Sequence, residues 1–337
     1  MDLANWMSSR PFLRIRSRPA IAMIHQLNVS KRSIGVTFNA SQEAEITLWA
    51  PWATTVAVKR YRDSAILPLT SHDNGYWQLT TNELAPGDLY SFVLNELDIY
   101  ADPASLAQPQ GLYGPSQAVS TVDFYWEDTC WVNPPADEYL IHPIDLPTFT
   151  PEGTLNSVIG HLPGLKKRGI TAISIRPLTP FSDASGKSVT NDYLFAIPPT
   201  FGGYRQLQHL VNACHYEGIA VVMTVGCPTT YHQQIKHVSA DMQQQARQHF
   251  LIENILMWFR DFHIDAIRLE VDQSCSDAPT LPTDIRECTN ALTAKDGHHY
   301  YLLVEQEMAS DASEKTYRND CLYDEPYAHT LHELFHK

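Results

Sequence analysis

The chain has 337 residues, with 38 Asp and Glu against 24 Lys and Arg, a formal net charge of −14 and 44% hydrophobic residues. That length holds two domains with their own cores, and the composition excludes disorder as the dominant state. The acidic balance argues against nucleic acid and anionic membrane as partners, since phosphate-binding proteins present a basic face.

The first 32 residues carry Arg10, Arg14, Arg16, Arg18, Lys31 and Arg32 against the single acid Asp2. Their longest apolar run, Ala20 to Ile24, is too short for a signal-peptide core, so residues 1–33 are expected to form a solvated, flexible tail. From Ser33 to about Phe124, period-two segments alternate with turns. Glu45–Trp49, Thr55–Val58, Tyr76–Leu79 and Leu89–Leu94 read as strands, separated by Ala50-Pro51, Asp73-Asn74-Gly75 and Pro86-Gly87-Asp88. The spacing predicts an immunoglobulin-like β-sandwich over 34–125. Trp49, Trp52, Trp77 and Trp126 fit packing within or between domains better than a sugar-stacking platform.

A connecting segment, 126–138, contains Pro134-Pro135, and beyond it the pattern changes. Five short apolar runs read as strands buried on both faces, near 140–146, 172–177, 220–225, 266–269 and 300–305. Between them, Leu207, Leu210, Val211 and Cys214 form one helical stripe, and Phe250, Leu251, Ile255, Trp258, Phe259 and Phe262 another. This β then α/β order predicts parallel strands with helical crossovers over 139–337.

No 18-residue apolar run predicts a transmembrane helix. Cys130, Cys214, Cys227, Cys275, Cys288 and Cys321 show no CxxC pair, which argues against a disulfide framework or zinc ribbon and fits a cytoplasmic setting. Neither a GxSxG elbow nor a dinucleotide or phosphate loop is present, and no cofactor or metal is expected. His329, His332 and His336 share one helical face at i, i+3 and i+7, but a plain terminal helix accounts for them as well as a metal site does. His232, His298 and His299 read as loop histidines.

Two groups of strings resemble a known family. Leu48-Trp49-Ala50-Pro51, Gly75-Tyr76-Trp77, Pro86–Tyr90, Asp102-Pro103-Ala104-Ser105, Gln108–Gly111 and Gly114-Pro115-Ser116 resemble the amino-terminal sandwich of branching enzymes and their relatives. Thr148–Thr154, Gly169–Ile173 and Phe201-Gly202-Gly203 resemble the barrel of the α-amylase family, glycoside hydrolase family 13, in its malto-oligosyltrehalose trehalohydrolase branch. The resemblance implies a TIM-type (β/α)₈ barrel with its site at the carboxyl ends of the strands. It also implies retaining cleavage of α-glucan by a nucleophilic carboxylate and a general acid about 5–5.5 Å apart.

Carried over by position, Asp265–Glu270 falls on the string that closes the fourth barrel strand. Arg268 keeps the family arginine, and Glu270 stands where the family has its nucleophilic aspartate. Glu305 falls on the general-acid position. An ion pair with Arg268 is the structural alternative for Glu270, and a solvated loop carboxylate the alternative for Glu305. Other positions depart from the pattern. Thr224, Pro228 and Thr229 replace an aspartate and an Asn-His pair, Val189 and Thr190 replace a Tyr-Asp pair, and His142-Pro143-Ile144-Asp145 replaces Tyr-Glu-Leu-His. The family's third carboxylate falls past Lys337. About 200 residues remain after the connecting segment, near the lower end of the roughly 200–400 a complete barrel uses, so an incomplete barrel is expected, its open edge covered by the tail, a second copy or a protein partner.

The expectation is therefore a catalytically silent relative that binds α-glucan, such as a malto-oligosaccharide, or a protein partner. One alternative is an active retaining hydrolase with Glu270 as nucleophile, Glu305 as acid and Asp192 or Asp272 in the third role. Another is a glucan-docking module acting through the sandwich.

Overall fold

The structure, a computed structural model, describes residues 27–175, 194–226, 238–270, 281–305 and 322–323. Nine strands build the amino-terminal unit: β1 (Gly35–Phe38), β2 (Ala44–Trp49), β3 (Val56–Arg60), β4 (Ile66–Pro68), β5 (Thr70–Ser71), β6 (Tyr76–Thr81), β7 (Leu89–Leu94), β8 (Asp98–Tyr100) and β9 (Ser116–Gln117). They form two antiparallel sheets, ordered β1-β2-β6-β5 and β4-β3-β7-β8, with β9 on β7. Alternate residues of both sheets, among them Val36, Ile46, Val58, Leu67 and Phe92, meet in one core, as period-two patterning requires. Gly75 closes the turn into β6 at φ +80°, and a Cβ there would come within 2.4 Å of Pro51, so this turn admits only glycine.

Most of the strings that resemble branching enzymes have a structural role. Asp102 accepts hydrogen bonds from the Tyr90 hydroxyl (2.6 Å) and the Ala104 N–H (2.8 Å), while its own N–H donates to Ser116 Oγ (2.8 Å). The Gln108 amide donates to the same Ser116 oxygen (2.7 Å). All four side chains are buried, and together they lock the loop from β8 to β9 onto the sheet.

The second unit is a parallel sheet of β10 (Leu140–Ile144), β11 (Ala172–Ile175), β12 (Ala220–Gly226), β13 (Ala266–Glu270) and β14 (Tyr301–Glu305), in chain order. A sixth, two-residue strand, β15 (Leu322–Tyr323), pairs with the free edge of β10. Two residues are too few for any periodicity to reveal. The helices are α1 (Leu146–Phe149), α2 (Leu155–Ile159), α3 (Leu162–Lys167), α4 (Gly203–Tyr216), α5 (Ala240–Phe262) and α6 (Leu281–Asp296). Ile173, Val221, Met223, Ile267 and Leu269 face these helices, while Ile141, Ala172, Ala220, Val222, Ala266 and Leu303 form a separate inner cluster. Both faces are apolar, which is why the strands read as continuous runs.

Helix α5 departs from its one-stripe reading: every residue from Phe250 to Phe259 is buried. Most of it packs in the barrel core, and the sandwich covers its amino-terminal half. Trp49, Trp52 and Tyr76 pack against Val238, Met242 and Ala246. The Tyr76 hydroxyl bonds His249 Nδ1 (2.6 Å), Ser33 Oγ lies 3.1 Å from His249 Nε2, and Glu253 accepts the Ser33 N–H (3.1 Å) and its hydroxyl.

These contacts correct the expected limit of the tail. Residues 27–33 are folded: Leu27 and Val29 pack on the barrel core, and buried Arg32 donates to the Ala104 carbonyl (3.1 Å). The net charge of the segment suggests solvation, but the residues that decide its fate are two apolar side chains and one buried guanidinium that donates to the carbonyls of Ala104 and Val36. The tryptophans serve packing: Trp77 donates to the Ala50 carbonyl (3.1 Å), and Trp126 stacks on His263 at 3.8 Å. Among the described residues, no helix is long and apolar enough to cross a membrane.

Candidate active site

The two ends of the parallel sheet differ in chemistry. Along the inner face, strand register defines successive rows. Pro143, Ser174, Val222, Ala266 and Tyr301 share one row; Thr224, Arg268 and Leu303 share the next; Gly226, Glu270 and Glu305 form the last. Polarity rises from Ala266 to Arg268 to Glu270 as β13 runs toward its carboxyl end. Thr224 is buried and Arg268 half-buried.

Glu270 and Glu305 are thus register partners on adjacent parallel strands. Neighbouring strands lie about 4.8 Å apart, and residues in register stand on the same face. The backbone therefore brings together the two positions that sequence reasoning assigned to nucleophile and acid, with Arg268 one row below. Glu305 is the last residue of β14, at the edge between strand and loop.

Two connections at this end of the sheet are built from family-like strings. After β10, the Thr148 hydroxyl donates to Asp145 (2.8 Å), and Thr154 caps α2 in a reciprocal arrangement with Ser157. Phe149 stands edge-on to both His142 (6.1 Å) and His161 (5.3 Å). Ahead of α4, Gly202 adopts φ +104°, where a Cβ would collide with the Gln206 side chain. The Thr148–Thr154 and Phe201–Gly203 strings are thus the turns that carry the chain back from the carboxyl ends. Val189, Thr190, Asp192, Pro228, Thr229, Asp272, His232, His329, His332 and His336 lie outside the described residues.

The amino-terminal end of the sheet holds a buried polar network that sequence reasoning missed. His215, near the end of α4, lies 2.8 Å from Asp128 and 2.9 Å from Asp265, with His263 also 2.8 Å from Asp128. The signal available was Asp265 itself, a carboxylate directly before a strand buried on both faces. Its partners are distant in sequence, which hid the cluster.

The alpha-amylase catalytic domain matches residues 127–254. A malto-oligosyltrehalose trehalohydrolase of Saccharolobus solfataricus is 31% identical over 255 residues, covering 70% of this chain and 44% of that protein. This chain belongs to the α-amylase family, glycoside hydrolase family 13. A second relative in that family, the malto-oligosyltrehalose trehalohydrolase of Arthrobacter ramosus, is 26% identical over 315 residues, covering 85% of this chain and 54% of that one. The chain thus spans about half the length of these curated relatives. Solved structures similar in fold include an alpha-amylase-like protein of Salmonella typhimurium (TM-score 0.70, 23% identity, 81% of this chain and 50% of that one). Another is a Paenibacillus barengoltzii pullulanase mutant complexed with maltotriose (TM-score 0.60, 19% identity, 79% and 52%). The family's catalytic domain is a TIM barrel, and the β-rich unit precedes it here.

Proposed function

We propose that this chain is an α-glucan-binding member of the α-amylase family whose hydrolytic centre is impaired at the nucleophile position. The supporting observation is the register pairing of Glu270 with Glu305. Two carboxylate-bearing positions about one strand spacing apart fit the separation of about 5–5.5 Å that retaining cleavage uses. Such a window has little slack. Glutamate in place of aspartate adds one methylene, a displacement of order 1 Å, and misplacement on that scale costs about 10²-fold in rate. Thr224, in register with Arg268, offers a hydroxyl where the family carries a carboxylate, so less negative charge faces an oxocarbenium-like transition state. Glucan recognition needs only hydroxyl-matching groups and tolerates both changes better than bond cleavage does.

On this reading residues 34–125 form an immunoglobulin-like sandwich, 126–138 a connecting segment, and 139–337 the part of the barrel that begins with its first five strands. The ligand is a malto-oligosaccharide, met in the cytoplasm. A slow retaining hydrolase, with Glu270 as nucleophile and Glu305 as acid, is the second reading, favoured by the same register.

Calorimetric titration with maltoheptaose, alongside an assay of malto-oligosyltrehalose cleavage, tests the proposal. Expected are saturable binding and no cleavage above that of the Glu305→Gln variant. Cleavage abolished by Glu305→Gln would establish the second reading, and absence of binding at millimolar glucan would overturn both.

A further inference from the structure

The network at the amino-terminal end of the sheet allows the protonation state of His215 to be read from geometry. Asp265 is surrounded by donors: Oδ2 accepts the Val221 N–H (2.7 Å) and Oδ1 accepts the Trp131 indole N–H (2.7 Å). Two such donors favour the charged form of the carboxyl group that accepts them. The same Oδ2 lies 2.9 Å from His215 Nε2. At its other nitrogen, Nδ1, His215 meets Asp128 Oδ2 at 2.8 Å, an oxygen that also contacts His263 Nδ1. A neutral imidazole carries one proton, so one of its nitrogens would point a lone pair at a buried carboxylate oxygen. Only the doubly protonated ring satisfies both contacts.

Two further features favour the cation. The Trp131 indole lies nearly parallel over the imidazole, at 4.7 Å and 9°, in cation–π arrangement. His215 also sits in the last turn of α4, where the helix dipole favours positive charge.

We infer that His215 is held as an imidazolium at neutral pH and that its proton fastens the connecting segment to the amino-terminal mouth of the barrel. Asp128 and Trp131 come from that segment, Asp265 from the start of β13, and His215 from α4, so one charge ties three parts of the chain. Asn133 completes the attachment, donating to the carbonyls of Asp265 (3.2 Å) and His299 (2.8 Å) and accepting from the Tyr139 hydroxyl. The fastener is independent of glucan binding and lies at the opposite end of the sheet from Glu270 and Glu305.

The groups facing His215 are Asp128 from the connecting segment, Asp265 before β13, and, through Asp128, His263 after α5. Cys214 is its neighbour on α4, and Tyr300 and Tyr301 lie within electrostatic reach of Asp265. Burial alone would push the His215 pKa down, but the Asp265 charge and the bonds to both carboxylates overcome it and raise it to about 9. The folded-state pKa therefore exceeds the ordinary 6.5. The contribution to stability is complete below 6.5, declines as pH rises, and is lost once pH passes about 9.

The test is ¹H–¹⁵N spectroscopy of the histidine rings, with His215 identified by nuclear Overhauser contacts to the Trp131 indole, combined with melting temperature against pH. Expected at pH 7.5 are two protonated nitrogens, titrating near pH 9 in the intact chain and closer to 6.5 in Asp128→Asn. The melting temperature of the wild type is expected to fall between pH 6.5 and 9 more steeply than that of His215→Gln. A single neutral tautomer at pH 7.5, or the same titration in Asp128→Asn, would overturn the inference. These spectra decide the question even if His215→Gln fails to fold.

Discussion

The two ends of the parallel sheet are built from similar residue types used for opposite purposes. At the amino-terminal end, Asp128, Asp265, His215 and His263 are paired with one another, with backbone donors or with an indole. At the carboxyl end, Glu270 and Glu305 stand side by side in the last row, two acids in register with a glycine. Opposite charges placed in contact stabilise a fold. Like charges brought close resist it, and functional sites are where such arrangements concentrate. The contrast teaches that paired, buried charge in this barrel belongs to its scaffold, while two acidic positions in register make the candidate site.

The largest effect expected from breaking the contrast is at the scaffold end. Asp265→Ala leaves the Val221 N–H, the Trp131 indole N–H and His215 Nε2 without their shared acceptor, with Asp128 the one carboxylate still on the ring, and should cost about 3–5 kcal/mol in urea denaturation. Next comes the acid limb of stability. Asp128 is buried, which would raise its pKa, but its bonds to His215 and His263 hold it well below the ordinary 3.8. Its contribution is present above pH 3.8 and is lost as pH falls below, so Asp128→Asn should flatten the acid side of the stability profile. Tyr76→Phe removes the hydroxyl that reaches His249 across the domain junction and should cost about 1 kcal/mol by the same denaturation. The exposed pair Arg205–Asp123 lies at the low end: Asp123→Ala should change stability by less than about 1 kcal/mol.

Legibility in the sequence follows the same division. The five longer barrel strands were readable because burial on both faces leaves an uninterrupted apolar signature, and the sandwich strands because one face alternates with the other. Glu270, Glu305 and Arg268 were readable from local strings that register then brings together. What escaped has physical causes. Leu322–Tyr323 is too short to show a period. Residues 27–33 are basic on average, yet fold through Leu27, Val29 and Arg32. The all-round burial of α5 depends on a sandwich whose docking surface is contributed by Trp49 and Tyr76, far away in the chain. The His215 network joins residues of the connecting segment to residues around β13, and no local pattern contains such a pairing.

Of the changes proposed to impair the carboxyl end, the extra methylene of Glu270 is the chief one, and Glu270→Asp tests it most directly. Release of reducing sugar from malto-oligosaccharides should be undetectable in the wild type and should rise at least about tenfold in Glu270→Asp, with melting temperature little changed, since function and stability are separated between the two ends. Equal, readily measured turnover in both forms, or turnover that falls in Glu270→Asp, would contradict the claim that the nucleophile position is what silences this site.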